Sequence, residues 1–153
     1  MRFIETKPKD NPEAMELLEE LSQALMNITG ASGQNSFTLE DMDEARSCFV
    51  LVINQDGKAV GCGAIRAISQ EIAEVKRVYA KEKGQHIGTD ILTYLEEKAK
   101  SLGFTALWLE TRAKNNQAVS FYLKKGYVIR ENYGKYAGNN QAVCFEKLFI
   151  QIV

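Results

Sequence analysis

Hydrophobic residues recur along this chain with two different spacings, and the change between them predicts a domain that mixes helices and strands. From residue 15 to 25, and again from 91 to 102, apolar side chains return at helical spacing. Pro12 fits the first position of the earlier helix, with Asn11 or Asp10 as its cap. The pattern therefore predicts two long amphipathic helices, and Gly103 is the expected end of the second.

Shorter apolar runs between these helices predict an antiparallel meander. The expected strands cover residues 48–53, 58–68 and 72–79. Asp56 and Gly57 between the first two strands favour a hairpin turn. Gly61 and Gly63 in the second strand indicate either a bulge or close packing of another element.

The remaining segments complete a mixed sheet. Further strands are expected at residues 2–6, 106–109, 127–129 and 142–150, short helices at 37–45 and from 118 to Gly126, and a glycine-rich loop at 27–35. A meander followed by alternating strands and helices predicts an α/β (α+β) fold. Its sheet is expected to be mixed, mostly antiparallel and six- to seven-stranded, with helices on both faces.

Length, composition and charge narrow the class of protein. The 153 residues favour one domain over residues 1–153, and 45% hydrophobic with 25% charged residues is typical of a globular protein. A net charge of −1 argues against a nucleic-acid partner. Without a run of ~20 apolar residues or a signal peptide, no membrane partner and a cytoplasmic location are expected. The three cysteines are expected to be buried free thiols.

A glycine-containing loop precedes the second long helix. The segment is Lys83-Gly84-Gln85-His86-Ile87-Gly88-Thr89. Unpaired N–H groups at a helix start can hold a phosphate or diphosphate, and glycine lets the backbone approach closely. The loop matches neither the P-loop nor the dinucleotide fingerprint. Alternatively, Gly84 and Gly88 only shape a turn and allow close helix packing.

This loop resembles the Q/R-x-x-G-x-G/A signature of the GNAT superfamily of N-acetyltransferases, as found in small bacterial members. Downstream, residues 115–122 (NNQAVSFY) and Gly126-Tyr127 resemble the family's N-x-x-A-x-x-F/L-Y…G-F/Y segment, and residues 74–79 resemble its fourth strand. The similarity covers residues 72–148 in the family's order. Lys83 stands where the signature begins with Gln or Arg, and His86 replaces its middle glycine.

The resemblance implies acetyl-CoA as co-substrate and no metal. The loop amides would bind the diphosphate, and backbone groups of the preceding strand would pair with the pantetheine arm. The implied acetyl-CoA-binding positions are Val78, Tyr79, Ala80, Lys83, Gly84, Gln85, His86, Ile87, Gly88, Thr89 and Asn115. Asn115 can instead, or in addition, cap the helix that follows it.

The resemblance also implies a proton donor for the leaving thiolate, Tyr122, although an aromatic residue at helical spacing also suits a core position. For the base, Glu74 is preferred over Glu110, because by resemblance its strand carries the acetyl site. Either carboxylate can instead form an ion pair, with a partner such as Arg77, or face solvent. A water relay in place of a base residue is the remaining alternative.

Tyr133 and Tyr136 near the end of the chain are candidates for a wall of the acceptor pocket, or for aromatic residues of a hairpin. The implied function is acetyl transfer from acetyl-CoA to a primary amine of a small molecule, amino acid or peptide, by direct attack. Two alternatives stay open, a non-catalytic acyl-CoA sensor or interaction module and a structural domain without CoA. A homodimer is common in the family.

Overall fold

The computed structural model describes residues 1–84 and 86–149. Its strands are β1 (Arg2–Glu5), β2 (Cys48–Ile53), β3 (Ala59–Ala67), β4 (Ile72–Ala80), β5 (Ala106–Arg112), β6 (Val128–Arg130) and β7 (Ala142–Leu148). Its α-helices are α1 (Pro12–Thr29), α2 (Ile87–Ser101) and α3 (Asn116–Lys124). Short 3₁₀ helices lie at Pro8–Asp10, Gln34–Ser36, Leu39–Asp43 and Gly134–Tyr136.

All seven strands join one sheet in the order β1-β2-β3-β4-β5-β7-β6. The β4–β5 pair is parallel, and the other five described pairs are antiparallel. The predicted mixed, mostly antiparallel sheet of six to seven strands is therefore confirmed. The parallel pair lies at the centre of the sheet, so the carboxyl ends of its two strands point in the same direction.

Helices cover both faces of the sheet, as predicted. Along β2, Phe49 and Leu51 pack with α1, whereas Val50 and Val52 belong to the core under α2. This alternation follows from the strand period of two, because successive side chains point to opposite faces. Among the described helices, none has the length and apolar character needed to cross a bilayer.

The glycines of β3 allow α2 to approach the sheet closely. A Cβ atom on Gly61 would lie 2.8 Å from Ile87 Cγ2, and one on Gly63 would lie 2.6 Å from Ile91 Cγ2. Real Cβ atoms do not approach other atoms so closely, so the helix would have to shift. Both alternatives for these glycines are present, because the β3–β4 register also shifts between Cys62 and Ala64.

Several helices and strands begin or end at other residues than predicted. Helix α1 continues to Thr29, into the predicted loop, and ends where Gly30 adopts φ +80°. Strand β5 continues past Leu109 to Arg112, because β7 pairs with its whole length. The short helix predicted at 37–45 is a 3₁₀ helix with Thr38 as its cap. The three cysteines are buried free thiols, as predicted.

Candidate active site

A cleft opens between the two central parallel strands. β4 and β5 pair through Ile72–Glu74 and Ala106–Trp108, and beyond these positions they separate. Residues 75–78 of β4 and 109–112 of β5 then line opposite sides of a cavity of about 350 Å³, called here the central cleft. No side chain fills this gap in the part of the chain that the structure describes.

A bulge in β4 lies at the point where the strands separate. Arg77 has φ +57°, and the pairing with β3 shifts there. Such a bulge bends a strand and increases its twist, which turns the end of β4 away from β5. The Arg77 guanidinium donates to Leu18 O (3.1 Å), Ser32 O (3.1 Å) and Ser22 Oγ (2.5 Å), so it fastens β4 to α1 and to the loop beyond it.

The start of α2 presents backbone amides that have no hydrogen-bond partner among the described residues. His86 precedes the helix with φ +59°, and the first recorded helical hydrogen bond runs from Asp90 N to His86 O. No described residue accepts a hydrogen bond from the N–H groups of Ile87, Gly88 and Thr89. His86 thus takes the left-handed conformation that suits the glycine of the GNAT signature, and leaves donors available to an anion.

A hydrogen bond connects the loop before α2 to α3. Lys83 Nζ donates to Gln117 Oε1 at 2.9 Å, and Gly84 adopts φ +84° in open surroundings. A Cβ atom on Gly88 would lie 3.5 Å from Phe121, an ordinary contact. Steric packing inside the protein therefore does not require a glycine at position 88. The remaining predicted loop position, Gln85, lies outside the described residues.

Three of the predicted acetyl-CoA positions lie at the end of β4. Tyr79 and Ala80 pair with Cys62 and Gly61 of β3, on the edge of β4 away from the cleft. The other edge of these residues has no partner in β5. Val78 lines the central cleft. An extended ligand can therefore add to β4 here as a further strand would.

Asn115 and Tyr122 belong to the α3 side of the cleft, and both line it. Asn115 Oδ1 accepts a hydrogen bond from Ala118 N at 3.2 Å, so it caps α3. The Tyr122 ring packs edge-on against Tyr127 at 5.6 Å between centroids. Burial raises the pKa of its phenol, which keeps the hydroxyl protonated. Tyr122 is thus both a core side chain and part of the cleft wall.

Glu74 lies within a network of ion pairs. Its Oε1 accepts from Arg66 Nε and Nη2 at 3.1 and 2.9 Å, and its Oε2 accepts from the Tyr133 hydroxyl at 2.6 Å. Lys76 Nζ is 3.3 Å from Oε2. Glu74 lines a second cavity of about 360 Å³ rather than the central cleft. The expected pairing with Arg77 is wrong, because the bulge directs that side chain to α1.

Glu110, the other candidate carboxylate, lines the central cleft itself. Its side chain is only 10% exposed, and its Oε2 has no hydrogen-bond partner among the described residues, although Arg112 Nε lies 3.0 Å away. Burial raises the pKa of this carboxyl, against the opposing effects of Arg112 and Lys76. A buried carboxylate with an unused acceptor atom is suited to an amine.

Lys76 and Arg112 were not singled out by sequence reasoning. Lys76 Nζ donates to the Tyr136 hydroxyl at 3.0 Å, and burial lowers its pKa. The signal that was available is alternation, because positions 74 and 76 share one face of β4, and positions 110 and 112 share one face of β5. These charged residues therefore face the same side of the sheet centre.

Tyr133 and Tyr136 lie in the connection between β6 and β7, in and beside a 3₁₀ helix rather than in the strands of a hairpin. Tyr136 lines both cavities, whereas Tyr133 lines only the second. Their rings contact each other edge-on at 5.6 Å between centroids. The structure thus places this pair at the wall between the two cavities.

Comparison with known proteins identifies the family. The sequence model of the Acetyltransferase (GNAT) family matches residues 9–127. This chain belongs to the GNAT family. A protein from Azospirillum brasilense named IAA acetyltransferase is 32% identical over 137 residues, which are 87% of this chain and 88% of that relative.

Solved structures show the same GNAT fold. One from Klebsiella pneumoniae, assigned as an acyl-CoA N-acyltransferase, has a TM-score of 0.79 and 27% identity, and the match covers 97% of both chains. An aminoglycoside 6'-N-acetyltransferase complexed with coenzyme A has a TM-score of 0.67 and 17% identity, covering 100% of this chain and 99% of that one. The predicted family and fold class are confirmed.

Proposed function

We propose that this GNAT protein, as one domain over residues 1–153, transfers an acetyl group from acetyl-CoA to the primary amine of a small acceptor. The observation that carries the proposal is the central cleft. It opens where β4 and β5 separate, and Val78, Asn115 and Tyr122 line it. The name of the Azospirillum brasilense relative, an acetyltransferase, agrees with this function.

The residues present fit acetyl-CoA. The amides of Ile87, Gly88 and Thr89 would hold its diphosphate, helped by the positive end of the α2 dipole. The unpaired edge of β4 at Val78–Ala80 would pair with the pantetheine arm. Acetyl-CoA supplies an activated acyl group as a thioester. Every other group that the reaction needs would come from the chain or the acceptor.

Tyr122 is proposed as the acid of the reaction. The amine nitrogen forms a bond to the acetyl carbon, the carbon–sulfur bond breaks, and the thiolate takes a proton. A phenol is protonated at neutral pH and can donate to a developing thiolate. Tyr122 lines the central cleft, which supports this role.

Glu110 is proposed as the group that receives the amine proton, in place of the expected Glu74. Glu74 accepts hydrogen bonds from Arg66 and Tyr133, and it lines the second cavity instead of the central cleft. Glu110 has a buried oxygen without a hydrogen-bond partner among the described residues, and it lines the same cleft as Tyr122. A base and an acid in one cleft are what direct attack requires.

The cysteines support direct attack rather than an acetyl-cysteine intermediate. Burial raises the pKa of the Cys48 and Cys62 thiols to about 12, and it raises the pKa of Cys144 as well. Since the thiolate is the nucleophile, such thiols react poorly at neutral pH. The amine would therefore attack acetyl-CoA without a covalent enzyme intermediate.

The test is an assay of purified protein with acetyl-CoA and a panel of amines. Release of free CoA thiol together with an acetylated amine, identified by mass, is the expected result. Binding of CoA, seen as a rise in thermal stability, without any acetylated product would support the sensor alternative. A thermal transition that does not respond to CoA would overturn the proposal, because ligand at a hundredfold excess over Kd should stabilise by about 2.7 kcal/mol.

A further inference from the structure

The charges that line the central cleft are unequal. Four basic side chains and one acidic side chain line it, namely Lys76, Arg77, Arg112, Lys135 and Glu110. Arg77 is bonded to α1, and Lys76 is bonded to Tyr136 and Glu74. A ligand that carried only positive charge would meet this basic surface at a cost, since like charges repel strongly in a cleft.

Glu110 and Arg112 form an incomplete ion pair at the wall of this cleft. The Arg112 Nε atom lies 3.0 Å from Glu110 Oε2, but the geometry is not that of a hydrogen bond, and Oε2 is left without a hydrogen-bond partner among the described residues. The Arg112 side chain is 33% exposed, and no described residue accepts a hydrogen bond from its guanidinium. Both groups therefore have unused hydrogen-bonding capacity next to each other.

The unused atoms are complementary to one kind of molecule. A guanidinium presents its N–H groups as a planar fork that matches a carboxylate, and a buried carboxylate is satisfied by an ammonium or amine. An α-amino acid carries these two groups on a single carbon, so it can contact two adjacent side chains of opposite charge. A simple alkylamine has no carboxylate that could accept hydrogen bonds from the Arg112 guanidinium.

We propose that the acceptor is an α-amino acid, whose amine contacts Glu110 and whose carboxylate contacts Arg112. This inference rests on the proposed acetyltransferase function and narrows its substrate class. The amine at Glu110 lies on the cleft wall that faces β4, where the acetyl group would arrive. The carboxylate, on the same carbon as the amine, contacts Arg112 beside Glu110, so Arg112 is a specificity-determining residue.

The test compares matched acceptors. Several L-amino acids of different size, each with its amide and its decarboxylated amine, are assayed with acetyl-CoA. We expect the amino acid to have kcat/KM at least about tenfold above both analogues, because charge-assisted contacts to Arg112 are lost in the analogues. Equal or faster acetylation of the amide or the decarboxylated amine overturns the inference while leaving the acetyltransferase function intact.

Variants of Arg112 test the assigned contact. Arg112→Gln should raise KM for the amino acid about tenfold and abolish the preference over the amide, with KM for acetyl-CoA unchanged. Arg112→Lys should keep part of the preference. The control Arg2→Gln, at an exposed position on β1, should change neither. An undiminished preference in Arg112→Gln with an unchanged melting temperature overturns the proposal. If no amine is acetylated although CoA binds, the acetyltransferase function itself fails, and this inference with it.

Discussion

The regions proposed for acetyl-CoA and for the acceptor are built from different parts of the chain. On the side proposed for acetyl-CoA, the binding groups are backbone amides at the start of α2 and the unpaired edge of β4. On the side proposed for the acceptor, they are charged side chains of β5, Glu110 and Arg112. A site made of backbone tolerates exchange of side chains, whereas a site made of side chains changes its specificity with each substitution.

This difference explains why the sequence offers more signals for the side proposed for acetyl-CoA than for the acceptor side. Backbone donors need particular conformations, and glycines and a helix start mark those conformations at fixed spacing along the chain. Charged side chains on a strand leave only the alternation of faces, which does not show which of them remain without a partner.

Tyr122→Phe should cause the largest loss. Removing the hydroxyl removes the proposed acid, so kcat should fall by about 10² to 10⁴, while KM for acetyl-CoA and the Kd of CoA stay near the wild-type values. Steady-state kinetics and CoA titration measure both. Tyr127→Phe is the matched control, since Tyr127 contacts Tyr122 but its hydroxyl donates to Glu96 at 2.8 Å. An equal loss of kcat in both variants would remove Tyr122 from the mechanism.

Gly88→Glu should weaken the binding of CoA without affecting the acceptor side. Space exists for a Cβ atom at this position, but a carboxylate beside the diphosphate should raise the Kd of CoA about 100-fold, corresponding to roughly 3 kcal/mol of repulsion. Gly88→Gln, with the same size and no charge, should weaken binding much less. Calorimetric titration with CoA compares the two variants. Equal affinities would contradict diphosphate binding at the start of α2.

Glu110→Gln should change how stability depends on pH. Because the pKa of Glu110 is raised by burial, the ionised carboxylate costs stability at pH values above its folded-state pKa. That cost disappears as the pH falls through the raised pKa toward the ordinary value of 4.5. The variant should therefore melt at a higher temperature than the wild type at pH 8, and the difference should vanish near pH 4.5.

Thermal denaturation at several pH values measures this difference. Glu16→Gln, at an exposed position on α1, should show no such trend. A stability gain for Glu110→Gln that grows toward acid pH would have the wrong sign, and would show that the carboxylate is stabilised by its surroundings. Loss of acetyl transfer in the same variant would link the buried carboxylate to the acceptor side.

His86→Gly should have the smallest effect. A non-glycine residue at φ +59° costs about 1 kcal/mol, but glycine gains a similar amount of freedom in the unfolded chain. We expect the free energy of unfolding to change by less than about 1 kcal/mol and CoA affinity to change by less than twofold. His86→Val should destabilise more, because β-branched residues rarely adopt this conformation. A large loss of CoA affinity in His86→Gly would show that the imidazole itself binds the ligand.

Several features of the fold could be predicted because they depend on local sequence. The apolar run at Cys48–Ile53 coincides with β2, and Asn11, one of the two predicted caps, caps α1. Strand β5 was predicted too short, since its last residues are polar and are held by pairing with β7 instead of by burial of an apolar run. Pairing between distant segments leaves no signal in either segment alone.

The candidate site divides in the same way. The sequence by itself determined the family, the sheet with its two layers of helices, and the loop and helix start that suit a diphosphate, because apolar periodicity, glycines and caps act on neighbouring residues. Only the tertiary structure decided that Glu74 is bonded to Arg66, while Glu110 keeps an oxygen beside Arg112 that has no hydrogen-bond partner among the described residues. The physical reason is that the state of a buried carboxylate depends on which charges surround it in space, and the pairing of the strands decides which charges those are.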